Sequence, residues 1–419
     1  MATSMIERIW VKNFRMLQSN RVDLPRFAVL VGRNASGKST LMSALRFVST
    51  VLSDGVERAV DVALDGSGSS FRDLCFDEKK PIQIALEVEL PEGLPKGRYR
   101  YELEIGPDGS GAPLIARENL FLLPEEPADT NNVSLVQESL FGDLEDDEII
   151  HQKIPKGWRK IVSKTAESKD HFWDERTKWN HQFRFGPTRS AVGNIPEDTD
   201  RFPGAIAVRN LLRDGVRVIE LDSHKLRMPS PPRSATALSN DGGNLAVAAR
   251  ALEERDRVAF DQWIAHVAEA IPGLTSIDTW ERPEDKHVVL RAYFDGNHTD
   301  PVPSWLLSDG TLRLLALSLL AFAESEDQPG LCLVEEPENG LHPLAIQSVF
   351  QALSQMYTAQ VFVATHSPVF LAQTSLKEAL VFRRTDHGTS QIQQGQEVAD
   401  LAGWKERVIL ADLFATGVL

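Results

Sequence analysis

The chain has 419 residues, of which 42% are hydrophobic and 25% charged, and this composition is typical of a globular protein of one enlarged domain or two. Its formal net charge of −15 argues against a surface devoted wholly to nucleic acid, although it is compatible with a local basic groove. The chain has no apolar run of the roughly 20 residues that span a bilayer, no N-terminal export pattern and only two cysteines, so we expect a cytoplasmic protein without disulfides or a membrane partner.

The first predicted elements are a strand over 6–11, where apolar and polar residues alternate, and a buried apolar strand over 27–31. A glycine-rich loop follows directly and fits the phosphate-binding pattern G-x-x-x-x-G-K-[S/T] without mismatch. Apolar residues at helical spacing then predict a helix over 41–48. Successive N–H groups of such a loop point at phosphate oxygens, and the helix adds its positive N-terminal end. The sequence therefore predicts a bound nucleoside triphosphate.

Two side chains of this loop have specific predicted tasks. Lys38 can reach the β- and γ-phosphates, and the Ser39 hydroxyl can ligate Mg²⁺. The other candidate nucleotide-binding residues of the motif are Asn34, Ala35, Ser36, Gly37 and Thr40.

Further along the chain, alternation over 82–90 and 98–105 predicts an antiparallel hairpin. From 244 to 271 the apolar spacing predicts one long helical stretch, and 288–294 predicts another strand.

Two stretches between these elements differ in charge. Residues 121–150 carry nine Asp or Glu and no Lys or Arg, whereas 151–185 carry nine Lys or Arg against four Asp or Glu. The second stretch also holds six aromatic residues, which are Trp158, Phe172, Trp173, Trp179, Phe183 and Phe185. This shift indicates an inserted element. It is either a nucleic-acid or partner surface with stacking aromatics, or a helical insert with core tryptophans and a solvated charged face. We favour the helical insert and predict a mainly helical subdomain over 111–274.

Ser308 and Gly310 precede an apolar helix predicted over 314–323. A serine and a glycine at a helix N-terminus can form a second anion-binding site. One nucleotide cannot easily use two such helix starts of one subunit on the same γ-phosphate. Two subunits packed head to tail can provide both.

A short apolar strand is predicted over 331–334, and Glu335 and Glu336 follow it. We expect this strand to lie beside the strand over 27–31, because its carboxyl end would then face the γ-phosphate. Glu335 would hold the Mg²⁺ shell, and Glu336 would polarise the attacking water. The alternative is a charged loop after a core strand.

A second apolar strand is predicted over 361–364, shortly before His366, with a helix over 344–356 between the carboxylates and this strand. His366 could donate a hydrogen bond to the γ-phosphate or hold the attacking water, or it could be a structural histidine.

The motifs follow one another as the phosphate loop, Ser-Asp-Gly-Thr-Leu-Arg (308–313), Glu-Glu-Pro-Glu-Asn-Gly-Leu-His-Pro (335–343) and Ala-Thr-His-Ser-Pro (364–368). This order resembles the ABC-type ATPases of the RecF/SMC kind. More narrowly, it resembles bacterial AAA-family ATPases related to the ATPase domain of overcoming-lysogenisation-defect (OLD) nucleases. The resemblance covers 1–55 and 300–385.

The resemblance implies an α/β fold, a P-loop ABC-type ATPase head whose mixed sheet is flanked by helices, with an antiparallel β lobe and a helical insert. Both ends of the chain, 1–110 and 275–419, would form this head around the inserted 111–274. It also implies ATP and Mg²⁺ as ligands and a homodimer or higher assembly of head-to-tail heads.

By the same resemblance, Ser308 and Gly310 would complete the ATP site of the opposite subunit, and 339–342 would communicate across the dimer. Arg15 lies where related proteins often carry a phosphate-proximal arginine. Asp309 stands where transporter-type members have glycine, Glu335 replaces the more usual aspartate, and no glutamine loop is evident. These departures argue against strong basal turnover, but not against ATP binding.

The function expected from this resemblance is an ATP-hydrolysing switch that pairs heads on ATP and regulates a separate effector or a DNA transaction, in bacterial antiphage defence. OLD nucleases carry a C-terminal Toprim nuclease domain, and the 53 residues after His366 are too few for one. We therefore expect the nuclease or toxin activity in a separate protein. The alternatives are a DNA repair or maintenance ATPase, a nearly inactive ATP-bound scaffold and, least favoured, a transporter ATPase subunit.

Overall fold

The computed structural model describes residues 4–67, 70–91, 93–94, 97–124, 149–296, 300–323 and 330–398. Of these, the residues within 1–24, 40–214 and 385–390 form one compact unit, called unit 1. Those within 25–39, 215–384 and 391–419 form a second, called unit 2.

The strands of the described chain are β1 (Met5–Phe14), β2 (Leu17–Asp23), β3 (Phe27–Val31), β4 (Ile82–Glu89), β5 (Arg98–Pro107), β6 (Pro113–Leu122), β7 (Arg159–Thr165), β8 (Asp170–Trp173), β9 (Asn180–Phe183), β10 (Val216–Ile219), β11 (Leu274–Glu281), β12 (Val288–Phe294), β13 (Val302–Pro303), β14 (Leu331–Glu335), β15 (Gln360–Ala364), β16 (Ala379–Arg384) and β17 (Ser390–Gln394). Its α-helices are α1 (Lys38–Asp54), α2 (Val56–Ala63), α3 (Pro203–Arg209), α4 (Ser223–Arg227), α5 (Leu245–Arg255), α6 (Arg257–Ala268), α7 (Asp309–Phe322), α8 (Pro343–Ser354) and α9 (Pro368–Leu371).

Unit 1 is built on an antiparallel sheet in the order β2-β1-β4-β5-β6-β7-β8-β9. The predicted hairpin is confirmed as β4 and β5, which pair from Ile82 with Ile105 to Glu89 with Arg98. The expectation of a mainly helical 111–274 is wrong over 113–122 and 159–183, because β6 to β9 extend this sheet instead. Residues 125–148 of that range lie outside the described part of the chain.

The physical reason is that several inward positions of these strands are polar. Glu118, Lys164 and Asp170 are each 2% exposed or less, at places where an alternating strand pattern would show apolar residues. The apolar–polar alternation that identifies a half-buried strand is therefore hidden. The division of the chain into a head and an insert at 111 and 274 stays a prediction.

Unit 2 contains a sheet in the order β10-β14-β15-β3-β16-β17, in which β10, β14, β15, β3 and β16 run parallel. All residues of β3 and β15 are buried, as expected for strands of a parallel sheet covered on both faces. The covering core includes α5, α6, α7 and α8. A smaller antiparallel sheet, β11-β12-β13, belongs to the same unit. The predicted α/β class, with sheets flanked by helices, is confirmed.

Two predictions for unit 2 need correction. The strand that carries Glu335, β14, does not lie beside β3, because β15 pairs with both and separates them. β14 and β15 are both short apolar strands, so the spacing of their apolar residues does not indicate which of them lies beside β3. The single stretch predicted over 244–271 is two helices, since Asp256 ends α5 and its side chain caps the Ala259 N–H of α6.

Along the described parts of the chain, none of the helices has the length and apolar character that crossing a membrane requires.

Candidate functional site

The loop between β3 and α1 has the close backbone packing that its glycines permit. A Cβ atom at Gly32 would lie 2.4 Å from the Phe382 carbonyl oxygen, so a larger residue cannot occupy this position without moving the backbone. The loop also holds Ala35 at a positive φ of 57°, a conformation that costs an L-residue roughly 1 kcal/mol. The strand, loop and helix predicted from the sequence are thus confirmed, with α1 starting at Lys38.

The Lys38 ammonium lies inside this loop. Its side chain is only 6% exposed, and Nζ donates to the carbonyl oxygens of Gly32 at 2.7 Å and Arg33 at 3.1 Å. Burial lowers the pKa of Lys38 to about 8, although the charges of Glu336 and Glu335 oppose this shift. The cation is therefore held by two backbone carbonyl oxygens within the loop that is predicted to bind the phosphates.

The hydroxyl of Ser39 meets the carboxylate at the end of β14. Ser39 Oγ donates to Glu335 Oε2 at 3.1 Å. Burial raises the pKa of Glu335, and the hydrogen bond from Ser39 opposes that shift. A hydroxyl next to a carboxylate is a pair of oxygen ligands that suits Mg²⁺.

The described residues contain no group of three or more His, Cys, Asp or Glu side chains that could hold a metal ion without help. Mg²⁺ commonly uses one or two protein oxygens and takes the others from water and substrate phosphates. Ser39 and Glu335 fit that kind of site, and they lie beside the loop predicted to hold the phosphates.

Glu336 is held in a defined direction immediately after β14. Its backbone has a positive φ of 44°, and its N–H donates to the Ala364 carbonyl oxygen at 2.7 Å. Its carboxylate accepts a hydrogen bond from Asn339 Nδ2 at 2.7 Å. A strained residue held by its neighbours is frequent at functional sites, because the surroundings must fix the direction of the side chain.

Glu338 connects the carboxylate loop to His366, a link that the sequence analysis missed. Its Oε1 accepts hydrogen bonds from Thr365 Oγ1 at 2.7 Å and from the His366 N–H at 2.8 Å. Its Oε2 is buried without a hydrogen-bond partner among the described residues. Burial and the charge of Lys38 lower the pKa of His366, so its imidazole is mainly neutral at neutral pH. The sequence did offer a signal for this link, because Glu338 is the third carboxylate of the Glu-Glu-Pro-Glu run.

Ser308 begins α7 as predicted. Its Oγ caps the helix by accepting from the Thr311 N–H at 3.1 Å, and the residue is exposed. Gly310 lies against the loop that follows β14, because a Cβ atom there would be 2.6 Å from the Gly340 carbonyl oxygen. The absence of a side chain at Gly310 therefore allows the first turn of α7 to contact the 339–342 loop.

Asp309 is paired with Arg227 at the end of α4. Arg227 Nε donates to the Asp309 carboxylate at 2.9 Å, and Nη1 donates to the carbonyl oxygen of Leu307 at 2.6 Å. Asp309, which stands where transporter-type members have glycine, therefore has a positively charged partner that compensates its charge. Arg227 was not identified from the sequence, since it lies 82 positions away from Asp309.

The structure brings together the predicted residues Lys38, Ser39, Glu335, Glu336 and His366 in unit 2 at the carboxyl ends of β3, β14 and β15. The remaining loop residues Asn34, Ala35, Ser36 and Gly37 precede α1, and Thr40 is its third residue.

Arg15 belongs to unit 1, where its guanidinium donates to the carbonyl oxygen of Ala63 at the end of α2. Its phosphate-proximal role stays a prediction.

Comparison with known proteins agrees with this architecture. The family described as "AAA domain, putative AbiEii toxin, Type IV TA system" matches residues 27–372. No curated protein sequence matches the chain. Among solved structures, an Smc head bound to the C-winged helix domain of ScpA is similar, with a TM-score of 0.53 and 18% identity over 93% of this chain and 97% of that one. An Smc head with an extended coiled coil from Pyrococcus furiosus has a TM-score of 0.51 and 15% identity over 93% of this chain and 96% of that one.

The family match spans the phosphate loop, the two carboxylates and His366. The structural similarity extends over nearly the whole chain at low identity, so it concerns the fold. The chain belongs to this AAA-domain family and has the α/β P-loop fold of an SMC head.

Proposed function

We propose that this protein is an ATP-hydrolysing molecular switch whose heads pair when ATP is bound. One observation carries the proposal: Lys38 inside the loop, the Ser39–Glu335 contact and the fixed Glu336 lie together at one edge of the parallel sheet. Each group has the chemistry for one part of phosphoryl transfer to water.

In this proposal, Lys38 and the loop N–H groups bind the phosphates of ATP. Ser39 and Glu335 would hold Mg²⁺, which neutralises charge on the β- and γ-phosphates. Glu336 accepts a proton from the attacking water, and neutral His366 donates a hydrogen bond to the γ-phosphate.

The position of Ser308 supports the proposed pairing. Its exposed hydroxyl stands at the N-terminus of α7, a suitable place for an anion. The placement of Ser308 and Gly310 at the beginning of α7 supports a role for them in closing the ATP site of a second copy. The 339–342 loop, which contacts Gly310, would report the state of one site to the other.

The proposed output is the regulation of a separate effector, and the setting is bacterial antiphage defence. The family description names a toxin and a type IV toxin–antitoxin system, which supports an effector of the toxin class. The Smc heads with the same fold were solved with ScpA domains bound, which supports a partner protein here. The fold equally supports a second candidate, a DNA repair or maintenance ATPase.

The first experiment measures phosphate release and the mass of the assembly by light scattering, with and without ATP and Mg²⁺. The Glu336→Gln variant should lose turnover by about 100-fold or more, because the general base is removed, and should accumulate as an ATP-bound pair. Glu254→Gln, an exposed glutamate on α5, is the matched control and should behave as wild type.

A second variant separates pairing from binding. Ser308→Arg should keep ATP binding at Lys38 and abolish ATP-driven pairing, whereas Ser19→Arg on the exposed face of β2 should change neither. An assembly state that ATP does not alter, together with equal turnover in wild type and Glu336→Gln, would refute the switch.

A further inference from the structure

The basic stretch 151–185 contains a defined hairpin of unit 1. Residues 169–184 comprise β8, a turn and β9, and are called the basic hairpin here. The two strands pair from Asp170 with Phe183 to Trp173 with Asn180. Among the described strands, β9 is the last of its sheet, so one of its edges is unpaired.

The three acidic side chains of the basic hairpin all point inward. Asp170 pairs with Lys164 Nζ at 2.8 Å, and both residues are 2% exposed or less. Asp174 accepts two N–H groups of the turn, which lower the pKa of its carboxyl. Glu175 accepts from the Tyr99 hydroxyl at 2.8 Å. No negative side chain of the hairpin is therefore presented to solvent.

The cations of the hairpin are all exposed, and they are Lys169, Arg176, Lys178 and Arg184. None of the four forms an ion pair within 4 Å with any residue that the structure describes. The exposed acid nearest in sequence is Glu167, in the preceding turn. The basic hairpin is therefore a positively charged surface on a chain whose net charge is −15. Positively charged surfaces attract polyanions.

Two large aromatic side chains are exposed among these cations. Trp179, directly after the turn, is 68% exposed, and Phe183 at the end of β9 is 42% exposed. His171 and Trp173 stack in parallel on β8 with ring centroids 5.5 Å apart. Exposure of a tryptophan to this extent has no packing purpose, because its apolar surface gains nothing from water.

We propose that the basic hairpin is a binding surface for single-stranded nucleic acid. Backbone phosphates would pair with the four exposed cations, and unpaired bases would stack on Trp179 and Phe183. A duplex offers phosphates but hides its base faces, so the aromatic component selects single strands. The prediction of a helical insert over 151–185 does not explain this surface, because residues 169–184 form a hairpin that exposes both the cations and the aromatic side chains.

None of the residues that form this surface belongs to the proposed ATP site, so the two proposals can be tested separately. The test uses the full chain without nucleotide and a fluorescent oligothymidine of about 20 nucleotides, a length that exceeds the site size of typical single-strand modules. Anisotropy gives the affinity at several salt concentrations.

The double variant Arg176→Gln with Lys178→Gln should weaken binding and lower the slope of log affinity against log salt by about 0.7 for each lost cation. The matched control is Arg233→Gln with Lys377→Gln, two exposed cations of unit 2, which should leave affinity and slope unchanged.

Trp179→Ala should weaken binding by about fivefold to a hundredfold without changing the salt slope, because it removes stacking and no charge. Trp280→Ala, an exposed tryptophan of unit 2, is its control. Lys38→Ala should bind the oligonucleotide as wild type does, so a failure of the ATP proposal leaves this result intact.

Three outcomes would overturn the proposal: no binding by the wild type, hairpin variants that bind as their controls do, or duplex binding equal to single-strand binding with no effect of Trp179→Ala. Thermal unfolding of each variant establishes that a loss of binding is not a loss of fold.

Discussion

At the scale of single residues, the protonation of Lys38 sets the pH range in which the loop can bind a triphosphate. Burial lowers the pKa of Lys38 to about 8, from a usual value of 10.5. The nearby glutamates do not offset this, because desolvation is the larger effect. In the protein without nucleotide, the ammonium therefore starts to lose its proton just above neutral pH.

We expect the affinity for an ATP analogue to fall as the pH rises through 8. A bound triphosphate favours the protonated amine, so binding must first restore the lost proton, which weakens affinity by about eightfold between pH 7.5 and 9. A fluorescent analogue measures this directly. Lys38→Arg, which stays charged, is the control and should flatten the profile. A wild-type affinity that is constant over this range would contradict the lowered pKa.

The residues named from the sequence and those that it missed differ in one respect. Lys38, Ser39, Glu335 and Glu336 belong to local motifs, so their spacing reveals them. The pairing of Arg227 with Asp309 joins residues that are distant in the chain, and no local pattern encodes it. A single sequence carries the chemistry of each motif but not the contacts that position it.

At the scale of elements, α7 depends on a close contact with the loop after β14. A Cβ atom at Gly310 would lie 2.6 Å from the Gly340 carbonyl oxygen, so Gly310→Ala must displace either the helix start or the loop. The helix start and the loop meet through backbone atoms, which move less easily than a side chain does. We expect the variant to lose about 1–3 kcal/mol of unfolding free energy. Chemical denaturation measures it.

The control for this prediction is Gly109→Ala, where the added Cβ meets nothing within 4 Å and the backbone has no positive φ. It should be neutral or slightly stabilising, because alanine restricts the unfolded chain more than glycine does. Equal stability of the two variants would show that the Gly310 contact is loose.

Elements with strong patterns were predictable, and elements with buried polar positions were not. The apolar β3, β14 and β15 and the alternating β4 and β5 were found because their patterns report burial directly. The strands β6 to β9 were missed because buried charged pairs interrupt their alternation. The order of the strands could not be predicted from the sequence either, because tertiary packing decides that β15 lies beside β3.

At the scale of the whole molecule, the net charge of −15 opposes the proposed pairing of two copies. Equal charges repel over roughly 10 Å at 0.1 M salt, and salt shortens this range. The basic hairpin carries the opposite sign, and its binding to a polyanion should weaken with salt. The two proposed activities therefore have salt dependences of opposite direction.

Pairing and oligonucleotide binding should therefore respond to salt in opposite directions in one preparation. Raising salt from about 50 to 300 mM should strengthen ATP-dependent pairing of Glu336→Gln by several-fold, because screening reduces the repulsion between two acidic copies. Over the same range, oligonucleotide affinity should fall. Light scattering and anisotropy on one preparation give both trends, and analogue binding at each salt concentration corrects for any change in ATP affinity. If pairing weakened in parallel with oligonucleotide binding, ion pairs across the interface would outweigh net repulsion, and the expected effect of the net charge on pairing would be wrong.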